Sequence, residues 1–483
     1  MTLATALFSA DWLLRVILSG RVVMSRRPVS ATLAWLLVLF IPLPWAGVIL
    51  YAIVGEPRLG WRRVQRYQRL TDGFVAKATV FWRGGTQDWT TECEPYKQVA
   101  NVATAVSDMP PLRGNHISFL GDTDHTIEAL IKDIDSARSR VHLLYYIWMD
   151  RGAGERVAEA LERAAGRGVI CRVLVDAVGS KHFLRSALPG RLRRAGVKLA
   201  AALPVNPLRM LFARVDLRNH RKIAVIDGWV AYAGSQNITD ASFGYKPRRK
   251  IGPWIDATAR VEGPAAQALE VVFLRDWEIE SEERLGDQLK ELLPEVPIPD
   301  EGSTVHVVPS GPGDAVSALR QALLTAIYSA REELILTTPY FVPDDAMREA
   351  LIAAALRGVA VTIVLPARVD GVVVGAAARA HYVDLLQAGV RIKHFRSGLL
   401  HSKTMTVDSD LAMIGSVNLD MRSFTLNFEI TLFVYDSDEA SLMRMLQVSY
   451  IEDSDDVFLE DWVRRPVWKR AFENTMRMFG PLL

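Results

Sequence analysis

One short sequence pattern occurs twice in this chain and constrains its fold more than any other feature. The first copy begins at His220 and the second at His401, and both have the form His-x-Lys-x4-Asp-x6-Gly-Ser-x-Asn. The first copy comprises His220, Lys222, Asp227, Gly234, Ser235 and Asn237, and the second comprises His401, Lys403, Asp408, Gly415, Ser416 and Asn418. Because six fixed positions recur at the same spacing, the chain must contain two related units that present the same side chains.

Each copy has the pattern of a β-hairpin. An apolar run after the Lys is followed by a turn signal at Asp227-Gly228 or Asp408-Ser409, and then by a second apolar run. Alternate residues of a strand share a face, so each His is expected to lie beside its Lys. The Ser and Asn at the end of the returning strand would add neutral donors. We interpret each copy as a set of groups that holds a tetrahedral oxyanion, although the two Asp residues also suit a purely structural role in the turns.

The double pattern is the signature of the phospholipase D superfamily, and the whole chain resembles bacterial cardiolipin synthases of the long, two-motif type. The stretches Tyr340-Phe-Val-Pro-Asp, Asn418-Leu-Asp-Met-Arg-Ser and Asn427-Phe-Glu-Ile-Thr-Leu carry the second resemblance. The resemblance implies that His220 attacks a phosphodiester to form a phosphohistidine while His401 protonates the departing alcohol. It also implies a carboxylate that orients each imidazole, Asp256 for His220 and Glu429 for His401.

The implied reaction transfers a phosphatidyl group from one phosphatidylglycerol to another and yields cardiolipin and glycerol, with no metal or other cofactor. Four side chains are expected to neutralise the phosphoryl oxygens: Lys222, Lys403, Asn237 and Asn418. Six more are candidates for substrate contacts: Ser235, Ser416, Arg214, Arg218, Tyr340 and Arg422. With water as acceptor the same chemistry would be that of a phospholipase D, and a non-catalytic lipid-binding membrane protein is a further alternative.

The amino-acid composition indicates which kinds of partner the protein binds. The chain is 50% hydrophobic over 483 residues and has a formal net charge of only +2, so we expect a membrane and a phospholipid as partners and no nucleic acid. Its two cysteines, Cys93 and Cys171, form no metal-binding pattern, and no disulfide framework or metal site is predicted. The oligomeric state is left open.

The N-terminal part of the chain is predicted to be a membrane anchor at residues 1–70. Residues 28–55 contain no charged side chain, which exceeds the roughly 20 residues that a membrane span requires. Residues 3–23 are a second apolar segment, interrupted by Asp11 and Arg15, which could pair on a helix. Pro42 and Pro44 leave two interpretations open, two straight spans or a re-entrant hairpin. Because both flanks are basic, we expect the catalytic part at the cytoplasmic face of the bacterial inner membrane.

The rest of the chain is predicted to be α/β, with two duplicated phospholipase D-type domains that face each other, each a mixed sheet flanked by helices. The predicted boundaries are a connector at 71–115, the first domain at 116–292, a Pro-rich linker at 293–302 and the second domain at 303–483. The aromatic residues of the connector suit either an interfacial contact or packing on a domain. A C-terminal amphipathic segment with Trp468, Phe472 and Phe479 suits either a core or a membrane surface.

Overall fold

The computed structural model describes residues 2–25, 29–55, 61–82, 85–86, 96–204, 214, 216–244, 251–281, 283–293, 298–312 and 318–480. The chain begins with an apolar helical region, continues through two connecting helices and then forms two α/β units. Both units contribute to one continuous sheet. Parts of the predicted connector and of the predicted linker at 293–302 lie outside the described residues.

The apolar N-terminal region forms three helices, which are α1 (Leu3–Met24), α2 (Val29–Leu39) and α3 (Ala46–Val54). Among the described residues, α1 is the one helix long and apolar enough to cross a membrane. Residues 28–55 do not form one continuous helix, because α2 ends before Pro42 and α3 begins after Pro44. At 11 and 9 residues, α2 and α3 are each shorter than a straight span requires. This geometry favours the hairpin interpretation.

The predicted pair of Asp11 and Arg15 is present and stabilises this break. Arg15 Nε donates to Asp11 at 2.9 Å, and its guanidinium donates to the carbonyl oxygens of Ile41 and Leu43 at 2.9 and 2.8 Å. Asp11 also accepts a hydrogen bond from the backbone N–H of Trp45 at 2.9 Å. The pair therefore binds the backbone groups that the interrupted helix leaves unpaired. Outward-facing side chains of the three helices, such as Leu13 and Leu33, are apolar and exposed.

Two helices join the anchor to the units, α4 (Trp61–Trp82) and α5 (Lys97–Ser107). Tyr67, Phe74 and Trp82 on α4 are at most 4% exposed, because α4 packs on a long helix of the first unit. Val99 on α5 is buried against the second unit. For these side chains the structure favours packing on the domains over contact with a membrane interface.

The main strands and helices of the two units follow the same order, and the second unit has additional elements. The first unit contains β1 (Leu112–Leu120), α6 (Thr123–Ser136), β2 (Arg140–Tyr145), α7 (Ala153–Gly166), β3 (Ile170–Asp176), α8 (Lys181–Arg185), α9 (Leu188–Arg194), β4 (Lys198–Ala202), β5 (Arg218–Asn219), β6 (Ile223–Ile226), β7 (Val230–Gly234), β8 (Trp254–Ile255), β9 (Thr258–Glu262), α10 (Pro264–Glu280) and α11 (Leu289–Leu292). The second contains β10 (Ser303–Ser310), α12 (Ala318–Ser329), β11 (Glu333–Thr337), β12 (Phe341–Val342), α13 (Asp345–Leu356), β13 (Ala360–Pro366), α14 (Val372–Arg379), α15 (Tyr382–Gln387), β14 (Arg391–Phe395), β15 (Leu399–Leu400), β16 (Thr404–Val407), β17 (Leu411–Gly415), β18 (Leu419–Asp420), α16 (Met421–Thr425), β19 (Asn427–Tyr435), α17 (Ser437–Glu452), β20 (Ser454–Asp456), α18 (Leu459–Val463) and α19 (Val467–Arg477).

Within each unit the sheet is mixed. In the first unit the order of strands across the sheet is β1-β9-β7-β6-β2-β3-β4. In the second unit the equivalent order is β10-β19-β17-β16-β11-β13-β14, with β20 at the outer edge. The strands β2, β3 and β4 at the outer end are parallel, whereas the hairpin β6–β7 is antiparallel to its neighbours. Antiparallel pairing of β1 with β10 joins the two units. The α/β fold with two duplicated units and an apolar N-terminal helix is confirmed.

A shared core lies where the units meet. Helix α10 is buried along almost its whole length, between the sheet and α4. Its apolar side chains, such as Phe273, pack in one cluster with Val305 and Leu432 of the second unit. Burial of a large apolar side chain stabilises the folded state by about 1.5–3 kcal/mol, so this cluster fixes the relative position of the two units.

Candidate active site

The two histidine motifs form the predicted hairpins. In the first unit residues 227–229 join β6 to β7, and in the second unit residues 408–410 join β16 to β17. Asp227, Gly228, Asp408 and Ser409 have positive φ values of 53°, 71°, 52° and 59°, as the two central residues of a type I′ turn do. Such a turn matches the twist of the paired strands, so the turn residues of the motif fix the register of each hairpin.

Of the two roles that the sequence leaves open for the motif aspartates, the structure favours the structural one over the catalytic one. The Asp227 carboxylate accepts hydrogen bonds from the backbone N–H groups of residues 138–140 at 2.8–2.9 Å, and Asp408 does the same for residues 331–333 at 2.8–3.2 Å. A whole strand separates each Asp from its His. Each carboxylate therefore anchors the far end of a hairpin to the start of the neighbouring strand, β2 or β11.

Short strands next to the histidines pair with strands of the other unit. Strand β5, directly before His220, pairs in parallel with the first residues of β19 in the second unit. Strand β15, directly before His401, pairs in parallel with β8 in the first unit. The carboxylates Glu429 and Asp256 follow the paired segments of β19 and β8. Each histidine is thus placed beside a carboxylate of the other unit.

The hydrogen bonds follow this pairing between the units. His220 Nδ1 lies 2.9 and 3.0 Å from the two oxygens of Glu429, and His401 Nδ1 lies 2.6 Å from Asp256 Oδ1. The prediction that Asp256 orients His220 and Glu429 orients His401 is wrong. The identical motif spacing is compatible with either pairing, and docking of the two units selects the crossed one.

Each carboxylate has further donors. Ser416 Oγ and Asn427 Nδ2 donate to Glu429, the latter at 3.1 Å, and Ser235 Oγ donates to Asp256 at 2.5 Å. The motif serines therefore hold the carboxylates, and their prediction as substrate contacts is corrected. A carboxylate held in this way fixes the Nδ1–H tautomer of the imidazole and leaves Nε2 as the reactive nitrogen.

Burial sets the protonation of both pairs. It lowers the pKa of His220 and of His401 to about 4, and the neighbouring carboxylates oppose this shift without cancelling it. Burial alone would raise the pKa of Asp256, but His401 and Lys403 outweigh it and lower the value to about 2. The same balance, dominated by His220, lowers the pKa of Glu429. Near neutral pH the site therefore holds two neutral imidazoles and two carboxylates.

The two motif lysines lie beside their histidines as predicted. Lys222 Nζ donates to the His220 carbonyl oxygen at 2.6 Å, and Lys403 Nζ donates to the carbonyl oxygen of His401. Burial lowers the pKa of Lys222 to about 7 and that of Lys403 to about 8. Both ammonium groups are almost fully buried, and neither lines the cavity described below. They act as buried positive charges behind the histidines.

Both histidines line one cavity of about 480 Å³ between the units. Asn237 and Asn418 also line it. Asn237 Oδ1 accepts a hydrogen bond from the Ile147 N–H at 3.0 Å, whereas its Nδ2 is buried without a partner among the described residues. A buried donor without a partner is costly, so this amide is placed to bind a ligand atom.

The predicted substrate contacts divide into two groups. Arg218, Tyr340 and Arg422 line the cavity. Arg218 contacts Asp176 at 3.3 Å, and the Tyr340 hydroxyl donates to Asp370 at 2.8 Å. Arg214 does not line the cavity. It forms a two-point ion pair with Asp216, the residue to which Arg422 also donates, so Arg214 is a neighbour of a cavity residue and its role as a substrate contact stays a prediction.

Several of the residues that line the cavity were not predicted, and some of them add aromatic or acidic groups. Trp254 stacks on the His401 ring with centroids 4.1 Å apart, and Tyr146 meets the His220 ring edge-on at 4.8 Å. Asp370 and Asp420 add carboxylates to the wall, and burial raises the pKa of Asp420 to about 6. A usable signal exists for Tyr146, because it follows a parallel strand, where ligand sites of α/β sheets lie. In the described part of the chain no cluster of three or more His, Cys, Asp or Glu side chains is arranged to hold a metal ion.

A family model described as cardiolipin synthase, PLD-like domain, matches residues 130–277 and 323–447, more than half of the chain, and a model described as phospholipase D-nuclease N-terminal matches residues 12–56. Cardiolipin synthase A of Serratia proteamaculans (strain 568) is 42% identical over 479 residues, which are 98% of this chain and 97% of that protein. The chain belongs to the cardiolipin synthase family.

A second family member, cardiolipin synthase A of Yersinia pseudotuberculosis serotype IB (strain PB1/+), is 43% identical over 491 residues, with the same coverage of 98% and 97%. The fold of the cardiolipin synthase units also resembles the crystal structure of a phosphatidylserine synthase from Haemophilus influenzae Rd KW20. That structure has a TM-score of 0.58 and 15% identity, and the match covers 80% of this chain and all of that one. The likeness concerns the fold alone. The apolar helix α1 and the N-terminal match fit a membrane-associated enzyme.

Proposed function

We propose that this enzyme transfers a phosphatidyl group from one phosphatidylglycerol to the terminal hydroxyl of another and forms cardiolipin and glycerol. The observation that carries the proposal is the crossed pair of imidazoles, each held through Nδ1 by a carboxylate of the other unit and both lining one cavity. A single imidazole can attack phosphorus but cannot also protonate the leaving alcohol. Two imidazoles at one cavity can divide these tasks.

In the first half-reaction His220 Nε2 attacks phosphorus and the bond from phosphorus to the glycerol oxygen breaks. His401 gives its proton to that oxygen, and glycerol leaves. The negative phosphodiester favours the protonated form of His401 before the attack, because an opposite charge nearby raises the pKa of an imidazole. The Asn237 amide and the buried charge of Lys222 stabilise the oxygens of the transition state.

In the second half-reaction the acceptor enters with its terminal hydroxyl toward the phosphohistidine. His401, now neutral, takes the hydroxyl proton while the acceptor oxygen attacks phosphorus. The bond from phosphorus to His220 Nε2 breaks, and cardiolipin is released with both histidines in their starting state. Atoms and protons balance over the two halves.

The surroundings of the rings support His220 as nucleophile and His401 as acid. The His220 side chain is 12% exposed, against 5% for His401, whose ring is covered by Trp254. A nucleophile must reach phosphorus in line with the leaving oxygen, so the more open ring suits that role. An aromatic face against His401 also stabilises an imidazolium, the form that a general acid needs.

The proposed location is the cytoplasmic face of the inner membrane. Arg21 precedes the hairpin, and a basic run from Arg58 to Arg69 follows it, so a re-entrant α2–α3 hairpin leaves both basic flanks on one side. Straight spans would place one of these flanks on the opposite side.

The test is product analysis with labelled phosphatidylglycerol in vesicles. The reconstituted wild-type protein should release glycerol and form cardiolipin in equal amounts. His220→Ala and His401→Ala should each abolish turnover while the unfolding temperature stays close to wild type. Phosphatidic acid as the main product would show that water is the acceptor, and an absence of any lipid product would support a binding protein. Substantial cardiolipin from either variant would refute the division of roles.

A further inference from the structure

The C-terminal helix α19 presents its apolar side chains away from the protein. Val467, Trp468, Phe472 and Met478 are 71%, 68%, 44% and 54% exposed. At about 100° per residue, Val467, Trp468 and Phe472 fall within an arc of about 140° of the helix, and Met478 caps its C-terminal end. A surface helix of a globular protein normally turns its apolar face to the core. Here the orientation is reversed.

The opposite face of α19 is the one docked on the protein, and its contacts are polar. Glu473 is 5% exposed and accepts hydrogen bonds from Arg379 at 2.8 Å and from Arg465 at 2.9 Å. Just beyond the helix, Gly480 is buried against Val342. These contacts fix the rotation of the helix about its axis, so exposure of the apolar face is imposed by specific ion pairs.

The exposed face adjoins the active site. Helix α19 packs on α14, whose first residues Val372 and Val373 are 63% and 39% exposed. Gly371 and Val374, on either side of these valines, line the catalytic cavity. We call the exposed apolar residues of both helices the rim surface, which comprises Val372, Val373, Val467, Trp468, Phe472 and Met478.

Basic side chains border the rim surface. Lys469 and Arg470 are exposed on α19, and Lys469 Nζ lies 5.6 Å from the centroid of the Trp468 ring. Tryptophan beside lysine and arginine is typical of helices that lie at the headgroup level of a bilayer. An anionic lipid surface can bind both the apolar and the cationic side chains beside the cavity mouth. This combination favours a bilayer over another protein as the binding partner.

We propose that the rim surface is a second membrane contact, in which α19 and the start of α14 insert between the headgroups of an anionic bilayer and place the cavity mouth against the lipid. The contact is separate from the N-terminal helices, and it does not depend on which lipid is the acceptor. It lets the headgroup of a phospholipid enter the cavity while the acyl chains stay in the bilayer.

Depth-dependent quenching tests the contact without any turnover. In the full-length protein with Cys93→Ser and Cys171→Ala, an environment-sensitive fluorophore is placed through Trp468→Cys. The control is Leu356→Cys at the end of α13, which is 72% exposed but lies before β13, at the end of the strand opposite the cavity. In phosphatidylglycerol vesicles, a quencher on the upper acyl chain should quench the probe at 468 at least twice as strongly as at 356. Equal quenching at both positions would overturn the proposal.

Kinetics give an independent test. Trp468→Ser with Phe472→Ser should lower kcat/KM on phosphatidylglycerol vesicles about 10- to 100-fold, as expected for the loss of two partly inserted aromatic groups. The same variant should keep wild-type activity on a short-chain phosphatidylglycerol dispersed as monomers, and Leu356→Ser should behave as wild type on both. Equal losses on both substrates would overturn the proposal in favour of a role in the fold or in the cavity.

Two further experiments test the role of the basic side chains and distinguish a membrane contact from an interface between two copies. Lys469→Gln and Arg470→Gln should each weaken activity on anionic vesicles about fivefold and have no effect when the substrate is diluted in neutral lipid at high salt. Energy transfer between labels at 468 on different copies, rising with protein density, would instead identify the rim surface as an interface between two copies. That result would refute the membrane contact.

Discussion

The crossed carboxylates allow a sharp prediction for Glu429→Gln. This substitution keeps the size of the side chain but removes the charge 2.9 Å from His220 Nδ1. At an effective dielectric constant of about 20, Coulomb's law gives roughly 6 kcal/mol for unit charges at that distance. Ser416 and Asn427 share the carboxylate, so we expect about 3–5 kcal/mol to be lost from the transition state. This corresponds to a rate about 10²–10⁴ lower.

The tautomer adds to this loss. A glutamine NH₂ turned toward Nδ1 would donate to it and move the imidazole proton to Nε2, the nitrogen that attacks phosphorus. The step that should fail is therefore formation of the phosphohistidine. In contrast, Asp256→Asn removes the carboxylate from His401 and should slow protonation of the leaving group, with a smaller effect on substrates that carry a better leaving group than glycerol.

The assay is rapid mixing with phosphatidylglycerol labelled at phosphorus, followed by counting of protein-bound label. With a phosphatidyl donor that carries a better leaving group than glycerol, His401→Ala should accumulate label on His220, because it lacks the base that activates the acceptor, and addition of Glu429→Gln to it should remove that label. Thr431→Val is the matched control, since Thr431 lies two residues along the same strand and its buried hydroxyl has no partner in the described structure. Phosphoenzyme formation in Glu429→Gln within about fivefold of wild type would refute the reasoning, as would an equal leaving-group dependence for the two carboxylate variants.

Three further predictions concern the cavity and the anchor. The kcat/KM should fall as the pH rises through about 7, because the buried Lys222 ammonium loses its proton there. Lys222→Arg should move this fall toward a pH of about 8, the pKa of Lys403. A pH–rate profile with an unchanged alkaline limb would argue against the role of Lys222. Asn237→Ala should lower the single-turnover rate about 10²–10³-fold, and a loss confined to KM would contradict its action in the transition state. Asp11→Asn should destabilise the N-terminal hairpin by about 3 kcal/mol, which is measured as faster cleavage of residues 40–45 by a protease in detergent. Replacing both Asp11 and Arg15 by Leu should destabilise the hairpin less than Asp11→Asn alone. Equal cleavage of all variants would contradict the structural role of the pair.

Much of the site follows from local sequence. The hairpins form because Asp227-Gly228 and Asp408-Ser409 adopt the positive φ values that a tight turn between paired strands requires. The alternation of a strand then places each His and its Lys together. The same local information left the two Asp side chains with two interpretations, since a turn residue that caps a neighbouring strand and a catalytic carboxylate look alike in sequence.

The form of the N-terminal anchor depends on contacts between residues that are far apart in the sequence. Pro42 and Pro44 predict a break but not its form, because prolines also occur in kinked spanning helices. The described structure favours a hairpin because Asp11 and Arg15, about 30 residues earlier, bind the backbone groups at the break. The sequence predicted the pair on α1 but not its partners.

The sequence by itself determined the chemistry, the duplication and the family of this protein, since a motif with six fixed positions carries its reactive groups wherever the units dock. Only the tertiary structure decided that Glu429 orients His220 and Asp256 orients His401, and that α19 turns its apolar face outward. Periodicity and spacing describe what one segment can present. Which distant segment it meets depends on how the two units pack against each other, and the free energy of that packing is spread over the shared core around α10.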